Sequence, residues 1–215
     1  MPAMTKKVAV ILSGCGHLDG AEIRESVLTL LYLDQNNIEY SCFAPNQPQH
    51  QVINYLTGSD TGEARNMLQE AARIARGEIE SLKSLEPSMF DGVVLPGGYG
   101  VAKNLSDLAF KGAGATVIPD LVAKITEFNN QRKPIAAICI APAIIAAILK
   151  KGTVTIGTDE AMANTIIDMG TNHQRCNVTQ ICVDEMHKFV TTPAYMFDAR
   201  IADVAIGIEK LVKKL

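Results

Sequence analysis

The chain has 215 residues, 47% of them hydrophobic and 20% charged, with a formal net charge of −3. That length suits one α/β domain with a full core, expected to run over residues 1–215. The weak negative charge and scattered basic residues speak against a nucleic-acid or anionic-membrane partner. The longest apolar run, Ile135–Leu149, falls short of the roughly 20 residues that span a bilayer.

Val8–Ser13 (VAVILS) is a β-branched run that stops at Gly14 and reads as a strand. A polar loop, Gly14–Gly20, follows. Asp19-Gly20-Ala21-Glu22 resembles a capping box, with Asp19 capping and Glu22 at the third helical position. Ile23, Val27, Leu30, Leu31 and Leu33 follow helical spacing, so a helix is expected to about Asn36. Tyr40–Phe43 reads as a second strand, closed by Ala44-Pro45-Asn46. Residues 47–88 are irregular and are expected to form an insertion or cap, with a helix at Asn66–Arg76 and a short element within Glu78–Leu85. Gly92–Leu95 is a buried strand ending in Pro96-Gly97-Gly98-Tyr99-Gly100. A helix near Pro119–Asn130 precedes a strand at Ile135–Ile138, and a helix from Cys139 to Lys150 follows at once. Thr153–Ile156, Ile181–Asp184 and Phe189–Thr192 read as later strands, and Asp198–Lys214 as a closing amphipathic helix.

Strands alternating with helices predict a mostly parallel sheet covered on both faces. Sites in such sheets lie beyond the carboxyl ends of the strands. Four loops qualify: Gly14–Gly20, Ala44–Pro48, Pro96–Gly100 and the turn at Cys139.

That last turn, Ala136-Ala137-Ile138-Cys139-Ile140-Ala141-Pro142-Ala143, has the form of a nucleophile elbow, with small residues two before and two after the nucleophile. Pro142 suits a first helical turn. A thiol at a helix N-terminus is expected to ionise more readily. Glycines after a strand let backbone N–H groups face a pocket, so Gly97 and Gly98 are candidates for substrate contact. The N–H groups of Gly98 and Ile140 could form an oxyanion hole. Glu22 and Glu25 share a helix face; the capping box accounts for Glu22, and spacing alone does not choose Glu25. Cys15, His17 and Tyr99 occupy strand-end loops and are candidate pocket residues beside Glu22. The five cysteines form no C-x-x-C pair and the four histidines no H-x-x-x-H spacing, so no metal site is expected. Gly14-Cys15-Gly16-His17-Leu18-Asp19 has Asp where the third glycine of a dinucleotide fingerprint belongs. The odd cysteine count, and an N-terminal Met1–Lys7 that runs into a strand without a signal-peptide core, favour reduced thiols and a cytoplasmic location.

The strand Val8–Ser13, Ala21–Glu25, Leu95–Gly98, Asn104-Leu105-Ser106 and Ala136–Cys139 together resemble the PfpI/ThiJ superfamily of class I glutamine-amidotransferase-like folds. Ser13–Gly16, Asp19-Gly20, Cys139–Ala143, Thr155–Asp159 and Val190–Met196 resemble its ElbB-type branch, labelled isoprenoid-biosynthesis protein and glyoxalase. The resemblance implies a flavodoxin-like three-layer sandwich, a homodimer, and a cofactor-independent, lyase-type glyoxalase. It also pairs the elbow cysteine with a helix glutamate, which falls on Glu25. Superfamily peptidases carry His after the cysteine, where Ile140 stands here. Amidotransferases carry a late His-x-Glu pair, absent from Thr192-Pro193-Ala194-Tyr195. His173 and His187 are the remaining imidazoles of the second half.

The reaction expected is conversion of glyoxal, or another small 2-oxoaldehyde, to a 2-hydroxy acid through a Cys139 hemithioacetal. The rival readings are a cysteine redox or stress sensor, a regulatory binding module, and a hydrolase or protein deglycase.

Overall fold

A computed structural model describes residues 5–215; the first four residues of the Met1–Lys7 stretch lie outside it. The strands are β1 (Lys7–Ile11), β2 (Glu39–Ala44), β3 (Ile53–Asn54), β4 (Ser59–Asp60), β5 (Ile79–Ser81), β6 (Gly92–Leu95), β7 (Ile135–Ile138), β8 (Thr153–Val154), β9 (Asn172–His173), β10 (Cys182–Asp184) and β11 (Phe189–Thr192). The helices are α1 (Ile23–Gln35), α2 (Met67–Ile74), α3 (Tyr99–Lys103), α4 (Leu108–Lys111), α5 (Pro119–Asn130), α6 (Pro142–Leu149), α7 (Glu160–Asp168) and α8 (Ile201–Val212).

The main sheet has the order β10-β11-β7-β6-β1-β2-β5. Its pairs are parallel except β10–β11. Successive residues of β1 feed two cores. Ala9 and Ile11 meet Leu121, Ile125 and Phe128 of α5 and the apolar face of α6. Val8 and Val10 lie with Leu33 of α1 and Val204, Ile208 and Leu211 of α8. A strand buried on both faces needs an unbroken apolar run, and the VAVIL stretch supplies it. This is the mostly parallel sheet covered on both faces that the strand–helix alternation predicts, and the flavodoxin-like sandwich that the resemblance implies.

Several details differ from the sequence reading. Residues 47–88 are only partly outside the fold: α2 leads into β5, which pairs with β2 as the edge strand of the main sheet. The departure is confined to the chain before α2, which holds the β3–β4 hairpin. β5 lies within the short element expected at Glu78–Leu85; its place in the main sheet was not legible because three residues at an edge carry little apolar signal. The Thr153–Ile156 strand is shorter than expected and pairs with β9 in a separate two-stranded sheet. The helix after β7 begins at Pro142 rather than Cys139, leaving Cys139 on the turn itself.

Helix α1 forms where the spacing predicts, but with the opposite face inward. Glu25, Ser26, Thr29 and Leu33 are buried, whereas Ile23, Val27 and Leu31 are each more than two-fifths exposed. The polar face can be buried because it satisfies itself. Ser26 Oγ donates to Glu22 O at 2.6 Å and Thr29 Oγ1 to Glu25 O at 2.7 Å, so neither hydroxyl is left unpaired. The cap also differs. Glu22 is the N-cap, its carboxylate accepting from Glu25 N at 2.6 Å. Asp19 instead accepts from Ile53 N at 2.8 Å and Tyr55 Oη at 2.7 Å, holding the β3–β4 hairpin.

Candidate active site

The sheet order reverses direction at β1 and β6, and the loops after these strands meet above their carboxyl ends. Tyr99 N donates to His17 O at 2.7 Å, Gly100 N to Gly20 O at 2.9 Å and Glu22 N to Gly97 O at 2.9 Å. The approach leaves no room for side chains. A Cβ on Gly97 would fall 2.5 Å from Cys139 Cβ and 2.8 Å from Glu25 Oε2.

Cys139 follows β7, with φ of +63°, a conformation L-residues rarely hold. Its N–H donates to Thr192 O at 2.9 Å, extending the β7–β11 ladder through the turn. The residue is 7% exposed. The backbone N–H groups of Gly98 and Ile140 favour its thiolate, and the Glu25 carboxyl beside it opposes ionisation.

Glu25 is completely buried. Its Oε2 accepts from Gly97 N at 2.9 Å and its Oε1 from Tyr195 N at 3.2 Å. Burial pushes the carboxyl up to about 8, the nearby Glu22 charge adds to this, and the backbone N–H groups oppose it. Burial likewise pushes the Cys139 thiol well above its ordinary 9, and the Glu25 charge raises it further. The greater ease of ionisation expected from the helix N-terminus is therefore overridden. Two negative charges in one dry site are unfavourable, so the pair retains a proton at neutral pH and titrates as a unit.

The structure thus brings Cys139, Glu25, Gly97, Gly98 and Ile140 together. Cys15 is half-buried, and its thiol is raised by burial and by Glu70, with Arg73 opposing and Asp19 adding. His17 is exposed, its ring edge-on to Tyr55 at 5.4 Å. Tyr99 opens α3 half-exposed, with Lys103 Nζ 4.9 Å from its ring centre. Glu22 caps α1 behind Glu25. His187 pairs with Asp184 at 3.0 Å on the β10–β11 turn, at the end of the sheet opposite Cys139. His173 accepts from Ile156 N at 3.3 Å. Neither imidazole is hydrogen-bonded to Cys139 or Glu25.

The sequence reading missed Tyr195. Its backbone N–H reaches Glu25 because Ala194, buried with φ of +44°, turns the chain after β11. Backbone donors have no residue signature, and only the Thr192-Pro193 break marks the place. Among the described residues no group of three or more His, Cys, Asp or Glu is placed to hold a metal ion.

A cysteine on a strained elbow, paired with a buried acid over a doubly wound sheet, marks an α/β protein of the class I amidotransferase-like type. The chain belongs to the DJ-1/PfpI family, whose sequence profile matches residues 78–192. It is 38% identical over 224 residues to a rat protein named ES1 protein homolog, mitochondrial, covering 100% of this chain and 84% of that one. It is 37% identical to human glutamine amidotransferase-like class 1 domain-containing protein 3, mitochondrial, covering 100% of this chain and 84% of the relative. The crystal structure of an isoprenoid biosynthesis protein with amidotransferase-like domain from Ehrlichia chaffeensis superposes with a TM-score of 0.90 at 41% identity, covering 96% of this chain and 97% of that one. Drosophila melanogaster DJ-1beta shares the fold, with a TM-score of 0.58 at 17% identity over 99% of this chain and 91% of that one. No helix among the described residues is long and apolar enough to cross a membrane.

Proposed function

We propose that the protein is a cofactor-independent glyoxalase acting on glyoxal or another small 2-oxoaldehyde. The observation that carries this reading is the buried Glu25 carboxyl set against the Cys139 sulfur, beside the N–H groups of Gly98 and Ile140. The thiol adds to one aldehyde carbon: the S–C bond forms, and the thiol proton passes to the carbonyl oxygen, giving a hemithioacetal. The N–H groups that face the sulfur stand beside that oxygen as its charge develops. The ionised fraction of Glu25, a base poised near neutral by its raised pKa, then takes the proton from the hemithioacetal carbon and returns it to the neighbouring carbon through an enediol. One carbon is oxidised and the next reduced, so no external electron acceptor enters. The product is a thioester, which water cleaves to the 2-hydroxy acid and free thiol.

Two rivals fit the site less well. A redox sensor works through an accessible thiolate, whereas Cys139 is buried and its pKa raised. Amide hydrolysis or deglycation through the same cysteine would draw on an imidazole next to the sulfur, and His173 and His187 are engaged elsewhere. The proposal includes the homodimer implied by the resemblance, which sedimentation velocity measures. It also includes action without nucleic-acid or membrane partners and placement in the cytosol, a compartment suited to the five free thiols.

The deciding experiment follows glycolate formation from glyoxal by NMR, with no added cofactor. Wild-type protein should turn over and Cys139→Ala should not. Equal rates in the two proteins, or no turnover in either, would overturn the assignment.

A further inference from the structure

The sequence singles out Asn104-Leu105-Ser106, yet none of the three hydrogen-bonds Cys139 or Glu25. Asn104 closes α3, its N–H donating to Gly100 O at 2.8 Å. Its side chain, almost fully buried, turns back across the top of the sheet. Nδ2 donates to Ser13 O at 3.0 Å and to Asp19 O at 2.8 Å, and Oδ1 accepts from His50 N at 2.8 Å. Both amide hydrogens and the amide oxygen are therefore used. They tie together the exit of β1, the Gly14–Gly20 loop and the chain before the β3–β4 hairpin.

The loop held in this way is the one that sets the donors of the site. The residues from His17 to Glu22 are joined to Gly97–Gly100 by three backbone hydrogen bonds. A Cβ on Gly98 would collide with Gly20 O, so the two loops are in direct contact. Gly97 N–H donates to Glu25 Oε2, and Gly97 packs so closely that a Cβ on it would fall 2.5 Å from Cys139 Cβ; the Gly98 N–H next to it favours the thiolate. A displaced Gly14–Gly20 loop would carry both donors with it.

We propose that Asn104 is a positioning residue for the Cys139–Glu25 pair. By holding the carbonyls of Ser13 and Asp19, it clamps the Gly14–Glu22 segment against Gly97–Gly100 and keeps the Gly97 and Gly98 N–H groups in place beside Glu25 and Cys139. Its consequence for turnover rests on the glyoxalase reading; its consequence for the thiol does not. Ser106 supplies the contrast. It is buried to a similar degree, but its Oγ bonds only Val101 O, at 2.8 Å, and Leu108 N, at 3.3 Å, within its own segment.

The charged group acting on the sulfur is Glu25 from α1, which Glu22 influences in turn; Gly98 and Ile140 present backbone N–H groups that favour the thiolate, and Tyr195 N–H donates to Glu25. Losing the Gly98 donor removes support for the thiolate alone, so the thiol titrates higher. The test measures iodoacetamide alkylation of Cys139 by mass spectrometry from pH 6 to 11, with glyoxal kinetics and melting temperature recorded in parallel. Asn104→Ala should alkylate about tenfold more slowly at pH 8, with its profile displaced to higher pH. Asn104→Ser, which keeps one donor, should fall between it and the wild type if the alanine variant does not fold. Ser106→Ala should melt lower yet keep the wild-type profile. A wild-type profile in the Asn104 variants, or an equal displacement in Ser106→Ala, would overturn the proposal. A displaced profile confined to the Asn104 variants, in a protein whose wild type turns over no glyoxal, would uphold the positioning role and defeat the glyoxalase reading.

Discussion

At Cys139 two physical effects oppose each other, and their sizes decide the outcome. A helix N-terminus favours a nearby anion by up to about 2 kcal/mol. Full burial of an ionisable group shifts its pKa by up to about 3–5 units, each worth about 1.4 kcal/mol. Burial wins for Cys139 and, by the same cause, for Glu25. The sign for stability follows from Glu25. Unfolded, it titrates near 4.5, and folded near 8. The native state holds the extra proton between those values, so the contribution of Glu25 to stability is fully present below pH 4.5 and is lost as pH rises through 8. Wild-type protein should therefore lose denaturant resistance from pH 6 to 9. Glu25→Gln should show a flatter slope over the same window, even where its amide, facing two N–H donors, lowers stability throughout. Urea melts at pH 6 and 9 measure both, and parallel slopes in the two proteins would refute the elevated carboxyl.

At the level of elements, α1 shows how an amphipathic pattern can place a helix and misplace its face. The aliphatic residues Ile23, Val27 and Leu31 define a stripe, yet the fold turns Glu25, Ser26 and Thr29 inward. Back-bonded hydroxyls remove most of the cost, and the rotation delivers Glu25 to the sulfur. Helix α6 offers a cleaner test of local conformation. It ends at Lys150, whose φ of +50° and ψ of +43° are left-handed. The side chain is exposed. Lys150→Gly should raise stability by about 1 kcal/mol, since glycine holds this conformation without the Cβ penalty. An unchanged or lowered urea midpoint would show that the cap is not strained.

Across the whole molecule, stability should be graded from the centre of the sheet outward. Strands β1, β6 and β7 are central and buried on both faces. The β3–β4 hairpin is a two-stranded excursion with Leu56 almost fully exposed at its turn. Amide exchange should be slowest in the three central strands and fastest, among strands, in the hairpin, because opening the hairpin exposes little apolar surface. Hydrogen–deuterium exchange with mass spectrometry reads this directly, and comparable protection in both regions would contradict it. The site draws its parts from this rigid centre: the elbow extends β7, the donor loop extends β6, and the acid stands on the helix after β1.

The sequence by itself determined the alternation of strands and helices, the elbow at Cys139 and the glycine loop at Gly97-Gly98. These are local signals: apolar runs buried on both faces, small residues around a tight turn, and glycines where another chain segment passes close. Only the tertiary structure decided which groups meet. The inward turn of α1, the Tyr195 N–H on Glu25 and the reach of Asn104 to two loops all depend on contacts between segments distant in the chain. Periodicity records that a face is apolar, not whether its polar neighbours can satisfy their own hydrogen bonds, and a backbone donor looks the same under every residue name.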